Sequence, residues 1–294
     1  MAIIDAHTHY YPESVFKAPR TWALERNEHH WADCVAPLEG KSIQGWAELD
    51  RMLRDMDAAG IEKAVLLGWY WENPQTCLEQ NSWYEQAIQQ HPDRFLAFVS
   101  INATDEKLAQ EIIYSARDKG FCGIGEVHPQ VQGHTLKDPC WQKVMELAHD
   151  EDLPINLHVT EPVGRDYPTK VNTPLEDYLW LAEQYPFSQL IYAHWGGLLP
   201  FYELNPAVWD KLKNVYYDTA ASPLLYDIRI FKRVLDTIGS DKILFGTDYP
   251  LRLYPGRKKE ADFGTFVSEI DNLELDPADK LAIFTKNSST LLES

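Results

Sequence analysis

Several things are missing from this 294-residue chain. No apolar stretch reaches the roughly 20 residues a membrane helix needs. No basic segment followed by an apolar core opens the sequence, so a secretory signal is not expected. Basic residues are scarce: 27 Lys and Arg face 45 Asp and Glu, a formal net charge of -18. That balance disfavours nucleic acid and anionic membranes as partners. The one basic cluster, Arg257-Lys258-Lys259, reads as a solvated loop. Only four cysteines occur, Cys34, Cys77, Cys122 and Cys140, and none shows Cys-x-x-Cys spacing. Nothing in this spacing suggests a thiolate metal site or a disulfide framework, and a reducing cytoplasm is the expected location. No internal repeat, low-complexity tract or domain boundary is visible, so residues 1–294 read as a single domain.

What is present is alternation. Short apolar runs at 3–7, 64–68, 95–101, 121–127, 155–159, 190–194, 215–218 and 243–247 read as strands buried on both faces. Amphipathic segments separate them. Residues 46–59 carry Leu49, Leu53 and Met56 on one face and stop at Gly60; residues 104–119 carry Leu108, Ile112 and Ala116 and stop at Gly120. Asp138-Pro139, Asp276-Pro277 and the capping-box pattern Thr173-Pro174-Leu175-Glu176 mark helix starts. Segments 77–91, 200–212, 224–238 and 261–272 fill the remaining helical slots. Eight strand-helix units in a chain of this length predict a (β/α)8 TIM barrel, whose active sites lie at the C-terminal mouth. Residues 10–44, after the first strand, are too long for a plain loop and read as a lid insertion carrying His29 and His30.

Polar residues stand at the C-terminal ends of the apolar runs: His7 and His9, His158, His194 and Asp248. In a barrel these ends converge, and imidazoles with a carboxylate suit a divalent transition metal. Strand alternation places Asp5, His7 and His9 on one inward face, Asn156 with His158, Tyr192 with His194, and Gly246 with Asp248. On the fourth run, Cys122 and Ile124 are expected inward with Glu126, and Gly123 and Gly125 outward. Glu126 could reach a metal or a bound water. Asp5 could orient a ligand imidazole. Asp218 reads as a cap or rim residue; His91, His128, His134 and His149 read as ordinary histidines without a role in the site.

The segments Ile4-Asp5-Ala6-His7-Thr8-His9, Ala193-His194-Trp195-Gly196-Gly197, Tyr216-Tyr217-Asp218-Thr219 and Gly246-Thr247-Asp248-Tyr249-Pro250 resemble the amidohydrolase superfamily. The similar branch includes aminocarboxymuconate-semialdehyde decarboxylase and related metal-dependent hydrolases. The resemblance implies a distorted barrel with His7, His9, His158 and Asp248 as metal ligands. It implies that His194 is the catalytic histidine or the ligand of a second metal. Gly123-Ile124-Gly125-Glu126 is more similar to hydrolase members in which a strand-four carboxylate reaches the metal. No lysine stands at the strand-four end, so a two-metal site would use Glu126.

The expected chemistry is hydrolysis of a small amide, lactone or ester, carboxylate-bearing substrates included. Asp248 would move a proton from an activated water, and His194 would stabilise the developing oxyanion. The alternatives are non-oxidative decarboxylation of a conjugated or aromatic acid, and a non-catalytic barrel stabilised by metal. Zinc is the expected ion, with manganese, iron or cobalt suited to the same donors; one ion is expected, or two if Glu126 bridges. Trp69, Trp195, Arg165 and Arg252 follow strand ends and are candidate substrate contacts, with Tyr70, Trp71 and Arg257 nearby. A small molecule is the expected partner, and a homodimer is suggested by the resemblance.

Overall fold

Each apolar run becomes a strand in the computed structural model, which describes residues 2–293. The strands are β1 (Ile3–Thr8), β2 (Ile61–Leu66), β3 (Phe95–Val99), β4 (Gly123–Val127), β5 (Ile155–Leu157), β6 (Leu190–Tyr192), β7 (Val215–Asp218) and β8 (Ile243–Leu244). All neighbours run parallel, in chain order from β1 to β8. The sheet returns on itself: Ala6 N donates to the Phe245 carbonyl at 2.7 Å, Asp248 N to His7 O at 2.8 Å and His9 N to Tyr249 O at 2.6 Å. This is the (β/α)8 barrel expected from the alternation. No helix among the described residues is long and apolar enough to cross a membrane.

Two apolar clusters separate the layers. Val65, Leu67, Phe98, Ile191 and Leu244 fill the barrel interior with Ile4, Ala6 and Cys122, above Leu291 and Leu292 of the last helix. The opposite faces of the strands pack against the helices: Ala64, Val99, Leu157, Tyr217 and Phe245 meet Met52, Met56, Tyr84, Ile112, Phe231 and Phe266.

Helix ends follow the local chemistry in part. Gly60 and Gly120 take left-handed conformations (φ +72° and +88°) and stop their helices. Asp276 caps the helix that begins at Pro277 by accepting from Ala278 N. Two expected caps do not form. Asp138 accepts instead from Thr135 N. Thr173 lies outside its helix and clasps Thr160, accepting from its N–H at 2.9 Å and donating to its carbonyl at 3.0 Å. Segments 200–212 and 224–238 each break into two short helices, Leu199–Tyr202 with Pro206–Trp209 and Ser222–Leu225 with Ile230–Ile238.

Residues 10–44 hold three helices, α1 (Glu13–Phe16), α2 (Pro19–Glu25) and α3 (His29–Val35). They share a small core of their own. Tyr11, Val15, Trp22, Trp31 and Val35 pack with Trp71 and Cys77, which follow β2. Glu28 accepts from the backbone of Glu72 and Asn73 and ties this insertion to the same segment.

Candidate metal centre

Seven polar side chains from six strands meet at the C-terminal end of the barrel. His7 is fully buried on β1, and His9 follows just beyond it. Glu126 comes from β4, His158 from the residue after β5, His194 from the turn after β6, Asp218 from the end of β7 and Asp248 from the segment after β8. His9 Nε2 lies 3.3 Å from Asp248 Oδ1, and His7 Nε2 lies 4.0 Å from the same oxygen and 3.9 Å from Glu126 Oε2. His194 Nε2 lies 3.4 Å from Glu126 Oε1. Two groups of potential ligand atoms result, His7–His9–Asp248 and His7–Glu126–His194, and His7 belongs to both.

Backbone acceptors orient two of the imidazoles. His9 Nδ1 donates to the Leu67 carbonyl (2.9 Å) and His194 Nδ1 to the Ala220 carbonyl (3.1 Å). Because a carbonyl only accepts, the Nε2 atoms face the cluster. His7 Nδ1 lies 2.8 Å from Asp218 Oδ2, while His7 Nε2 is buried without any hydrogen-bond partner. A buried nitrogen left bare among carboxylates fits a cation. The donor set of imidazole nitrogens and carboxylate oxygens fits a divalent metal.

The electrostatics agree. Burial opposes charge on His7, but Asp218, Glu126 and Asp248 outweigh it and push its pKa up to about 10. Burial likewise opposes charge on His194, and Glu126 with Asp248 raises it to about 9. Burial works against ionised Glu126, yet His158, His194 and His7 hold its carboxyl well below the usual range. The cluster therefore attracts positive charge, and a metal would compete with protons for it.

His158 sits beside both ligand groups and in neither. Its Nδ1 is 2.8 Å from Glu126 Oε1 and 3.2 Å from His194 Nε2, so the Glu126 carboxylate stands between His158 and His7. Its ring lies parallel to that of His128 (4.8 Å, 14°). His128 is thus no ordinary solvent-edge histidine. It is buried in the wall of the site, with Tyr70 edge-on at 5.1 Å, and burial holds its pKa well below normal. Tyr70 stacks on Trp69 (4.2 Å), and Trp69 approaches His9 (5.9 Å).

Several expected positions are corrected. Asp5 and His7 do not share a face, because a register shift between Asp5 and Thr8 breaks the alternation. Asp5 turns to Thr247 and the His7 backbone, and Asp218 contacts the His7 ring instead. Before β4 Cys122 lies inward as expected, but the faces reverse at Gly123 and Ile124. Ile124 joins the outer layer, while a side chain at Gly123 would strike the interior Phe98 ring at 2.4 Å. A register shift after Ile124 then brings Glu126 inward. Gly125, at φ +129°, leaves room for the Asn156 carbonyl, which a Cβ would approach to 2.4 Å. On β6, Ile191 points inward and Tyr192 outward against Tyr178. His194 enters the site only because the chain turns left-handed there, at φ +57°.

Of the candidate substrate contacts, Trp69 stands half-buried at the mouth. Trp195 does not: it is fully buried against Phe231 and donates to Ser222 Oγ at 2.7 Å, because the left-handed turn that brings His194 in carries the next side chain out. Arg165 is exposed in the loop after β5. Arg252 is engaged by the insertion, its guanidinium donating to the Ser42 carbonyl and its backbone to Ile43. His29 is exposed, and His30 Nε2 donates to the Thr169 carbonyl at 3.2 Å. Asp218 and His128 are the site residues that sequence reasoning passed over. For Asp218 the signal was present, since it ends β7 as the ligand candidates end theirs.

A family model described as amidohydrolase matches residues 4–293. The 2-amino-3-carboxymuconate-6-semialdehyde decarboxylase of Dictyostelium discoideum is 25% identical, over 88% of this chain and 85% of its own. The 4-sulfomuconolactone hydrolase of Hydrogenophaga intermedia is 25% identical, over 75% of this chain and 70% of its own. Among solved structures, a 5-carboxyvanillate decarboxylase from Novosphingobium aromaticivorans, complexed with manganese and a nitrobenzoic acid, superposes with a TM-score of 0.72. It is 19% identical and covers 100% of this chain and 96% of its own, a likeness of fold. Matched from the first strand to the last helix, the chain belongs to the amidohydrolase family.

Proposed function

We propose that the protein is a metal-dependent, non-oxidative decarboxylase of a conjugated or aromatic acid. The observation that carries this reading is the match, along most of both chains, to a decarboxylase of an unsaturated acid. The stacked Trp69–Tyr70 pair beside the His9 ring supports it, since flat faces of this kind suit a planar substrate. Hydrolysis, the reaction expected from the strand-four carboxylate, is the second reading. The lactone hydrolase relative favours it, and so does Glu126 lying within the cluster.

His7, His9, Asp248 and Glu126 are the residues we assign to holding the ion, with His158 supporting Glu126. Manganese and zinc both suit these donors. A divalent cation held by these residues would supply positive charge to offset electron density developing on the substrate. The protein supplies the rest. Trp69 and Tyr70 hold the planar part of the substrate. His194, as the imidazolium with Nδ1–H engaged by the Ala220 carbonyl, presents Nε2–H to the cluster and delivers the proton that replaces CO2 on carbon, becoming the neutral ring. The insertion α1–α3, joined to the loop after β5 where His30 meets Thr169, acts as the lid that excludes water.

The test loads the protein with manganese or zinc and offers two panels, unsaturated and aromatic acids on one side and lactones and esters on the other. CO2 release from members of the first panel is expected. Acid release from the second, without CO2 from the first, replaces decarboxylation by hydrolysis. No turnover in either panel with the metal site full supports a non-catalytic barrel.

A further inference from the structure

We propose that Asp218 is a positioning residue that decides which ring nitrogen of His7 carries the proton and links that choice to the turn bearing His194. The two Asp218 oxygens receive four contacts. Oδ2 lies 2.8 Å from His7 Nδ1 and 3.1 Å from Asn156 Nδ2. Oδ1 accepts from the backbone N–H of His194 at 2.9 Å and of Ala220 at 3.1 Å. An ionised carboxylate accepts only and offers about four lone-pair sites. Three of the contacts are N–H donors by chemistry, and the fourth, His7, must donate as well. Nδ1 therefore holds a proton, and Nε2, the atom both ligand groups share, keeps its lone pair for a cation.

The backbone half of the arrangement matters equally. His194 sits at φ +57° and Trp195 at φ +58°, conformations that residues with a Cβ adopt only when held. Oδ1 of Asp218 holds the first N–H of this turn. One buried carboxylate thus fixes a ligand ring on β1 and the entry of a second ring from β6.

An amide cannot replace it. Asn at this position has one oxygen and one NH2. If the oxygen faces His7, the NH2 opposes the N–H groups of His194 and Ala220 and the turn loosens. If the oxygen faces the turn, the NH2 opposes His7 Nδ1 and drives the ring proton to Nε2, where the cation binds. Either orientation damages the centre although shape and volume are unchanged. The argument holds whether the reaction is decarboxylation or hydrolysis.

The test reads metal binding, not turnover. In full-length protein with 15N-labelled histidine and bound 113Cd, the His7 ring (assigned by its loss in His7→Gln) is expected to couple to cadmium through Nε2 and to retain an Nδ1 proton. Chelator competition should show manganese binding to Asp218→Asn weakened by about 10–100-fold, with a near-ultraviolet circular dichroism spectrum like the wild type. Asn156→Ala, which removes one donor and leaves the turn alone, should lose less. Cadmium coupling through Nδ1, absence of coupling at His7, or a folded Asp218→Asn protein with wild-type affinity overturns the proposal. If Asp218→Asn does not fold, the cadmium spectrum of the wild type decides.

Discussion

Thr247 donates its hydroxyl to Asp5 Oδ2 at 2.6 Å and its backbone N–H to Asp5 Oδ1 at 3.1 Å, fastening β8 to β1 where the barrel closes. Asp5 is wholly buried, and burial raises its pKa to about 7 despite these bonds. Thr247→Val keeps the shape and removes the hydroxyl. Leaving a buried carboxyl oxygen without its partner should cost about 1–3 kcal/mol. Urea unfolding measures it; an unchanged midpoint would show that the closure does not depend on this pair.

His194→Asn should lower kcat by about 10²–10⁴-fold, the range of a lost general acid or base, while metal content stays near that of the wild type. Asp248→Asn should lose both activity and metal, because Asp248 Oδ1 faces His9 and His7 together. Atomic absorption beside steady-state kinetics separates the two. Equal metal loss in both variants would make His194 a ligand first and a catalytic group second.

The two tryptophans should behave oppositely. Trp69→Ala should raise KM, since its ring stands at the mouth beside His9. Trp195→Phe should leave KM alone and lower stability, because it removes a buried N–H bonded to Ser222 Oγ and leaves that hydroxyl short of a partner. Kinetics and thermal melting of both variants give the comparison. A KM change in Trp195→Phe would count against the placement of its side chain in the outer layer.

Glu28 predicts a pH dependence of stability. Burial pushes its pKa from 4.5 to about 7, and Glu72 nearby adds to the rise, against the backbone N–H groups it accepts. Between these values the folded chain keeps the proton and the unfolded chain loses it. The folded state then binds more protons, so stability falls as pH rises from about 4.5 to 7 and levels off above. Glu28→Gln removes this contribution. The difference in urea midpoint between wild type and variant should shrink in the wild type's disfavour across that window; a flat difference would show an ordinary carboxylate.

Residue type and spacing were enough to read the barrel, because apolar runs buried on both faces and separated by amphipathic helices admit few architectures. The same residues disclosed most of the centre. His7, His9, His194 and Asp248 are polar at strand ends where burial otherwise selects apolar side chains, and each reaches the cluster. On β5 simple alternation was also right: Asn156 and the following His158 turn inward to Asp218 and Glu126.

Only the folded chain decided the facing of β1, β4 and β6. Alternation assumes a regular pleat, and three backbone events break it: the shift between Asp5 and Thr8, the shift after Ile124, and the left-handed turn at His194. Each is held by contacts distant in sequence, with Thr247, Gly68 and Asp218 as the partners. A local pattern carries no record of such partners. The sequence by itself thus determined which residues could form a metal centre, through their types and their places at strand ends. Tertiary hydrogen bonding decided which of them turn inward, that Glu126 stands between His158 and His7, and that Asp218 rather than Asp5 orients the His7 ring.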